Sequence, residues 1–183
     1  GPVDFGLADI RTSAAALNEF VDGVRATTGA SRVDLVGHSQ GGLTSRYYIK
    51  SLGGAAEVDS MISLASLHYG TAAANLGAFL LLGNCAGVAG CEQMRIGSSF
   101  LNELNAGDDT IGDVTYTNIV TVFDELVIPY TSGFLRNDGN NTNVTVQAQC
   151  PFRPVEHIAI PFDPAVQDGI LDALRHEPIR LAC

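Results

Sequence analysis

Positive charge is scarce in this sequence. Lysine and arginine together number 10, against 20 aspartate and glutamate residues, and the formal net charge is −10. No basic cluster occurs, so the sequence predicts no nucleic-acid partner, because contacts to phosphate backbones need clustered lysine and arginine. Hydrophobic residues make up 46% of the chain and charged residues 16%. This balance excludes disorder and predicts a single packed domain over residues 1–183.

Long hydrophobic runs are also missing. The longest covers roughly residues 72–83, which is shorter than the ~20 apolar residues that a membrane-spanning helix needs. The sequence therefore predicts a protein without a transmembrane segment. A helix is predicted at 72–82, either buried or part of a cap formed by residues 68–107.

Cysteine is limited to four residues, which allow three disulfide pairings. The simplest pairing is local and joins Cys85 to Cys91 and Cys150 to Cys183. Four free buried thiols in a cytosolic protein are the alternative. Disulfides are the favoured interpretation, and they indicate an exported, extracellular protein because they persist in oxidising compartments.

Strand-like and helix-like segments alternate along the chain. Predicted helices cover 12–28, 42–51, about 98–105 and 164–176. Predicted strands cover 33–36, 61–65, 116–123 and, more weakly, 144–148. This alternation predicts the α/β class, with a mostly parallel sheet and helices on both faces.

The stretch VDLVGHSQGG, residues 33–42, carries the first catalytic signal. Ser39 lies between Gly37 and Gly41 in a G-x-S-x-G pattern, with a predicted strand before it and a helix after it. Small residues two positions away on either side let neighbouring backbone pass the strained turn. The turn places the hydroxyl at a helix N-terminus, where developing negative charge is stabilised. A glycine-rich connector with an incidental serine is the alternative, and the flanking elements favour a nucleophile.

A catalytic serine of this kind needs a histidine later in the chain. His157, in a loop before the last predicted helix, is the best candidate for the general base. His68 could line the same pocket but is interpreted as structural, and His176 as part of a solvated helix face. His38, inside the turn, is expected to point away from the reaction centre.

The acid that orients the histidine is expected between Ser39 and His157. Asp124 directly follows the predicted strand 116–123, and catalytic groups gather at the carboxyl ends of strands in α/β sheets. If the strand continues, its neighbour Glu125 is expected to point to the other side, so that only one of the two carboxylates can serve. Asp124 would hold the imidazole tautomer and stabilise the imidazolium without accepting the proton.

Five segments give the chain a family resemblance that covers nearly its whole length: VDLVGHSQGGL, RYYIKSLGG, FDELVIPYTS, VQAQCP and EHIAI. In these segments the sequence resembles the secreted actinobacterial class 2 triacylglycerol lipases and, more distantly, Candida antarctica lipase B. The resemblance implies an α/β-hydrolase fold, with Ser39 as nucleophile, Asp124 as acid and His157 as base. It also implies hydrolysis of lipid esters, at a lipid–water interface, without a metal or organic cofactor. The implied disulfides are the local pairs of Cys85 with Cys91 and Cys150 with Cys183.

The sequence departs from the family pattern in two places. Glu156 stands where the family more often has an aspartate, and no His-Gly motif precedes residue 33. That motif would supply one oxyanion-hole donor, so the resemblance implies that the first strands and this donor are missing. The Gln40 backbone N–H would be the other donor. A separate N-terminal segment of the same protein is expected to supply the missing part; the alternatives are a non-catalytic fragment, or an esterase or polyester hydrolase acting on shorter esters.

Overall fold

In the computed structural model, residues 8–72, 85, 87–136 and 139–183 are described. Four strands within them form one sheet in the order β1-β2-β3-β4, and every pairing is parallel. The strands are β1 Val33–His38, β2 Val58–Leu64, β3 Thr115–Val120 and β4 Asn141–Thr145. The structure therefore confirms the predicted α/β class and its parallel sheet. Because all four strands run the same way, the loops that follow them meet at one edge.

Helices separate the strands. They are α1 Ile10–Thr28, α2 Gln40–Ser51, α3 Ala89–Gln93, α4 Ser99–Leu104, α5 Val146–Gln149 and α6 Pro164–Leu174, with short 3-10 turns at Gly54–Ala56, Tyr130–Gly133 and Ile160–Phe162. Helix α1 begins where the Asp9 carboxylate accepts hydrogen bonds from two backbone N–H groups. Helix α6 begins in the same way at Asp163, with proline in its first turn.

The two faces of the sheet are covered by different helices. One apolar cluster joins α1 and α2 to the sheet through Ala14, Val21, Tyr48, Ile49, Met61 and Tyr116. The other joins α6 to the opposite face through Ile62, Leu64, Ile119, Ala165, Val166 and Ala173. Neighbouring strand residues such as Met61 and Ile62 divide between the clusters because successive side chains point to opposite faces.

Two predicted strands end earlier than the sequence suggests. Strand β3 stops at Val120 rather than at residue 123, because the Asp124 N–H turns back to the Thr121 carbonyl, 3.3 Å away. Residues 146–148 form helix α5, in which the Cys150 N–H donates to the Val146 carbonyl over 2.8 Å. The buried Val144 and Val146 alternate with polar residues, so the pattern of β4 continues past its end into the helix. The helix predicted at 72–82 lies outside the described residues.

Both disulfides of the structure are local. Cys85 is joined to Cys91, and Cys150 is joined to Cys183. The second bond ties Cys183 to the residue that opens the loop carrying His157. Among the described helices, none combines the length and apolarity that crossing a membrane requires.

Candidate active site

Ser39 occupies a strained turn between β1 and α2. Its backbone has φ 55° and ψ −123°, a conformation that residues other than glycine rarely adopt. Two hydrogen bonds to the end of β2 hold it. The Ser39 N–H donates to the Leu64 carbonyl over 2.9 Å, and the Ser66 hydroxyl donates to the Ser39 carbonyl over 2.9 Å. The sheet therefore fixes the position of the hydroxyl group.

Two of the three glycines around Ser39 are required by packing. A Cβ atom at Gly37 would lie 2.6 Å from the Gly41 carbonyl carbon, and one at Gly42 would lie 2.4 Å from the Ser66 hydroxyl oxygen. A Cβ atom at Gly41 would meet no atom within 4 Å. The G-x-S-x-G pattern thus marks a close approach of β1 to α2, in which Gly41 contributes its backbone rather than a missing side chain.

The His157 side chain lies between Ser39 and Asp124. Its Nε2 is 3.0 Å from the Ser39 Oγ, and its Nδ1 is 2.9 Å from Asp124 Oδ2 and 3.0 Å from Oδ1. A carboxylate only accepts hydrogen bonds, so the Nδ1 position carries the proton and Nε2 is left to accept the serine hydroxyl proton. The three residues picked out in the sequence are thus brought together by the fold.

Asp124 lies in the loop that follows β3. Its side chain is buried, and Oδ1 accepts the backbone N–H groups of Leu126 over 2.9 Å and Val127 over 2.7 Å. These contacts, together with the His157 Nδ1–H, leave the carboxylate little freedom to rotate. The sequence placed Asp124 directly after a strand, whereas it is the turn beginning at Thr121 that aims it at the histidine.

The backbone of His157 is held by two side chains that the sequence did not identify. The His157 N–H donates to Glu125 Oε2 over 3.2 Å, and the His38 Nε2 donates to the His157 carbonyl over 2.8 Å. The expectations that His38 and Glu125 point away from the site are therefore wrong. His38 directly precedes Ser39 and Glu125 directly follows Asp124, and that adjacency was the available signal.

The His38 and His157 rings also touch each other. Their centroids lie 4.8 Å apart, with the ring planes tilted by 47°. Burial, and then the nearby His157 ring, lower the pKa of His38 below its ordinary value. A neutral His38 that donates through Nε2 matches the carbonyl it faces.

A further contact joins the Asp124 loop to the His157 loop. The buried Thr121 hydroxyl donates to the Val155 carbonyl over 2.7 Å. The same oxygen accepts the Phe123 N–H over 3.2 Å and the Gln147 amide over 2.9 Å. One side chain thus links the end of β3, the loop of Asp124 and the loop of His157.

The other two candidate histidines lie elsewhere. His68 is fully buried, and its Nε2 lies 3.1 Å from the Ser63 hydroxyl and 3.2 Å from Asn118 Oδ1. Burial, and to a lesser degree the Arg46 charge, lower its pKa to about 3, so His68 is a neutral core residue. His176 is exposed, with Nε2 3.0 Å from Asp59 Oδ2.

Gln40 begins helix α2 next to Ser39. The first N–H groups of a helix have no acceptor within the helix, so the Gln40 N–H can receive an oxyanion formed at Ser39. The Gln40 side chain donates to the Ala8 carbonyl over 3.4 Å. In the described part of the chain, no group of three or more His, Cys, Asp or Glu residues is arranged for a metal ion.

A parallel sheet with a strained serine turn, flanked on both faces by helices, defines the α/β-hydrolase class of fold. The family model described as Lipase (class 2) matches residues 12–151. The chain therefore belongs to the class 2 lipase family, as the sequence predicted.

Solved structures show the same fold. Aspergillus fumigatus lipase B matches with a TM-score of 0.82 and 23% identity, over 95% of this chain and 44% of that chain. The product of lin2722 from Listeria innocua matches with a TM-score of 0.63 and 14% identity, over 93% of this chain and 68% of that chain. Mature Bacillus licheniformis lipase BlEst2 matches with a TM-score of 0.52 and 18% identity, over 62% and 49%. This chain spans less than half the length of the Aspergillus and Bacillus lipases.

Proposed function

We propose that this chain is a serine carboxylic-ester hydrolase that cleaves lipid esters, as a triacylglycerol lipase does. Ser39 is the nucleophile, His157 the general base and Asp124 the residue that orients the base. The observation that carries the proposal is the row of contacts from Ser39 Oγ to His157 Nε2, 3.0 Å, and from His157 Nδ1 to Asp124, 2.9 Å. These lengths are within the range needed for proton transfer.

Acylation would begin when His157 Nε2 takes the Ser39 hydroxyl proton while Oγ attacks the ester carbonyl carbon. The carbonyl π electrons move to oxygen, and the Gln40 N–H stabilises the resulting oxyanion. Collapse re-forms the carbonyl and breaks the bond to the alkoxy oxygen, which leaves as an alcohol with the proton from Nε2. The acyl group remains on Ser39.

Deacylation repeats these steps with water as the nucleophile. His157 takes a proton from water, hydroxide oxygen attacks the acyl carbonyl, and Ser39 leaves with the proton returned by Nε2. The carboxylic acid is released and the serine hydroxyl is restored. Throughout, Asp124 stabilises the imidazolium electrostatically and is not itself protonated.

A lipid–water interface as the site of action is supported by exposed apolar side chains on the loop of His157 and on the 3-10 turn that follows it. Phe152 is 98% exposed and Phe162 75% exposed, with Ile158 between them also open to solvent. Single exposed apolar residues are common on protein surfaces, but three of them within residues 152–162 offer apolar area for contact with lipid. Their place on the loop of the base supports lipid esters over fully soluble ones as substrates.

The 68–107 segment is proposed to cap the site within a single domain. Its described part connects to the acid loop through Thr71, whose hydroxyl donates to the Leu126 carbonyl over 2.6 Å and accepts the Ile128 N–H over 2.9 Å. Buried residues Met94 and Phe100 from the same segment pack with Val127 of that loop. A displacement of the cap would therefore move the loop that carries Asp124.

The second oxyanion donor is proposed to come from a further N-terminal segment of the same protein, paired with β1. In the described residues, β1 is paired with β2 on one side, and the apolar Val36 on it is exposed. An open, apolar strand edge invites another strand. Lacking one oxyanion donor reduces turnover by roughly a hundred- to a thousandfold in a well-studied serine protease.

An extracellular location is proposed on the basis of the disulfides. All four cysteines of the sequence are paired in the structure. Such bonds persist in oxidising compartments and are rare in the cytosol of mesophiles. Chemical reduction is therefore expected to weaken the fold.

The first test is the intact mass of the protein before and after reaction with a fluorophosphonate, a probe that labels activated serines. We expect one adduct, its absence in Ser39→Ala, and the same loss in His157→Ala. Labelling that survives in Ser39→Ala would place the nucleophile elsewhere, and activity retained in His157→Ala would exclude His157 as the base. Without any adduct, the chain is a non-catalytic fragment.

Faster turnover of soluble butyrate esters than of emulsified triacylglycerol would identify an esterase instead.

A further inference from the structure

The base of the site lies on a loop without regular secondary structure. Helix α5 ends at Gln149 and the next 3-10 turn begins at Ile160, so His157 has no strand or helix ladder around it. Catalysis nevertheless requires its Nε2 to stay within hydrogen-bond reach of Ser39, since misplacement by about 1 Å can reduce turnover a hundredfold. Some other contact must therefore fix the loop.

Both backbone groups of His157 are bonded to side chains from outside its loop. Its N–H donates to Glu125, which follows Asp124, and its carbonyl accepts a hydrogen bond from His38, which precedes Ser39. The residue that carries the base is thus anchored beside the acid on one side and beside the nucleophile on the other. Of the two contacts, the His38 bond is the shorter, 2.8 Å against 3.2 Å.

We propose that His38 is a positioning residue for the base, whose Nε2–H holds the His157 carbonyl and thereby sets the distance from His157 Nε2 to Ser39 Oγ. This inference rests on the proposed function of Ser39 and His157. His38 and Ser39 are adjacent in the chain, and both contact His157. Ser39 Oγ lies 3.0 Å from His157 Nε2, and His38 Nε2 lies 2.8 Å from the His157 carbonyl oxygen. A histidine attached at two points can rotate far less than one held by its ring alone.

The chemistry of His38 fits this role. A carbonyl oxygen only accepts, so His38 must carry a proton on Nε2. Burial and the nearby His157 ring disfavour a second proton on His38. His38 therefore remains a neutral donor and adds no positive charge beside the imidazolium that forms during catalysis.

Contact between the two rings offers a competing explanation, in which His38 acts only by packing. Three variants separate the two roles. Glutamine places an amide N–H about where Nε2 lies, asparagine places it about where Nδ1 lies, and phenylalanine keeps the ring without a donor. His38→Gln should therefore retain the contact that His38→Asn and His38→Phe lose.

The kinetic test measures kcat and KM with a soluble p-nitrophenyl ester. We expect His38→Asn and His38→Phe to lower kcat about ten- to a hundredfold with KM changed by less than about twofold. His38→Gln should keep kcat within about threefold of the wild-type value. Equal kcat values in all three variants and the wild type would overturn the proposal, as would a normal kcat in His38→Phe alone, which would identify packing as the role.

A second measurement does not depend on turnover. The proton between His157 Nδ1 and Asp124 should give a strongly deshielded resonance in the NMR spectrum of the wild type. We expect this resonance to weaken through exchange in His38→Asn and to persist in His38→Gln, with melting temperatures recorded to verify folding. A resonance unchanged in His38→Asn would contradict the positioning role. Failure of the wild type to react with the fluorophosphonate would instead contradict the proposed function.

Discussion

The turn that carries Ser39 and the loop that carries His157 are joined by a 3.0 Å contact between Ser39 Oγ and His157 Nε2. Different kinds of interaction hold the two segments in place. The Ser39 turn is bounded by β1 and α2 and is fixed by backbone hydrogen bonds and by missing Cβ atoms at Gly37 and Gly42. The His157 loop is fixed by side chains from distant parts of the chain, His38 among them. One arrangement depends on close backbone packing and the other on polar contacts.

The difference determines which changes each region tolerates. Close backbone packing leaves no free volume, because interior atoms already lie at contact distance. An added methyl group must therefore displace its neighbours. A loop held by single hydrogen bonds loses about 0.5–1.5 kcal/mol for each bond removed. We therefore expect damage to the Ser39 turn to appear mainly as instability, and damage to the polar contacts of the His157 loop mainly as lost activity.

The largest expected effect comes from removing the disulfide that encloses the His157 loop. Cys150–Cys183 closes a loop with a sequence separation of 33, whereas the separation for Cys85–Cys91 is 6. By chain entropy the first bond contributes about 4 kcal/mol to the free energy of unfolding and the second about 2 kcal/mol. Urea unfolding of the two double Cys→Ala variants measures both contributions.

The Cys85→Ala/Cys91→Ala variant serves as the matched control, since its loop excludes both Ser39 and His157. A larger loss of stability in this control than in the Cys150→Ala/Cys183→Ala variant would contradict the expected order. An equal melting temperature for the wild type with and without a reducing agent would count against both disulfides.

The next largest effect concerns the Ser39 turn. Gly37→Ala would place a methyl group 2.6–2.7 Å from backbone atoms of Gly41 and Gly42, and we expect it to lower the free energy of unfolding by roughly 1–3 kcal/mol. Gly41→Ala adds the same methyl group where no atom lies within 4 Å. Its stability should change by less than about 0.5 kcal/mol. Thermal unfolding of both variants provides the comparison, and similar losses would mean that the two glycines share a conformational rather than a packing role.

The strands, the main helices and the Ser39 turn are predictable from the sequence, because each depends on residues that are close together in the chain. The signals are the spacing of apolar residues and the G-x-S-x-G pattern. The order of serine, acid and histidine along the chain also pointed to Asp124 and His157. Contacts between distant segments leave no such pattern, so nothing near residue 157 indicates His38 as a partner. The strand predicted at residues 144–148 is confirmed only at 144–145, because the buried Val144 and Val146 alternate with polar residues, a pattern that a strand followed by a short helix shares with a longer strand.

The smallest effect is expected at the other anchor of His157. Glu125→Leu removes the carboxylate that accepts the His157 N–H, and we expect kcat/KM for a soluble ester to fall about two- to tenfold, because the hydrogen bond lies at an exposed side chain and is 3.2 Å long. Stability should barely change, because the Glu125 side chain is exposed. Steady-state kinetics measure the change in kcat/KM, and thermal unfolding measures the change in stability.

Glu125→Gln is the matched control, because it removes the same charge and keeps an oxygen that can accept the His157 N–H. If the contact matters as a hydrogen bond, glutamine should keep kcat/KM within about twofold of the wild type while leucine does not. Equal losses in both variants would mean that Glu125 acts through its charge near the imidazolium. Unchanged kinetics in both would leave His38 as the side chain that anchors the His157 backbone, and Glu125 would have no role in positioning the base.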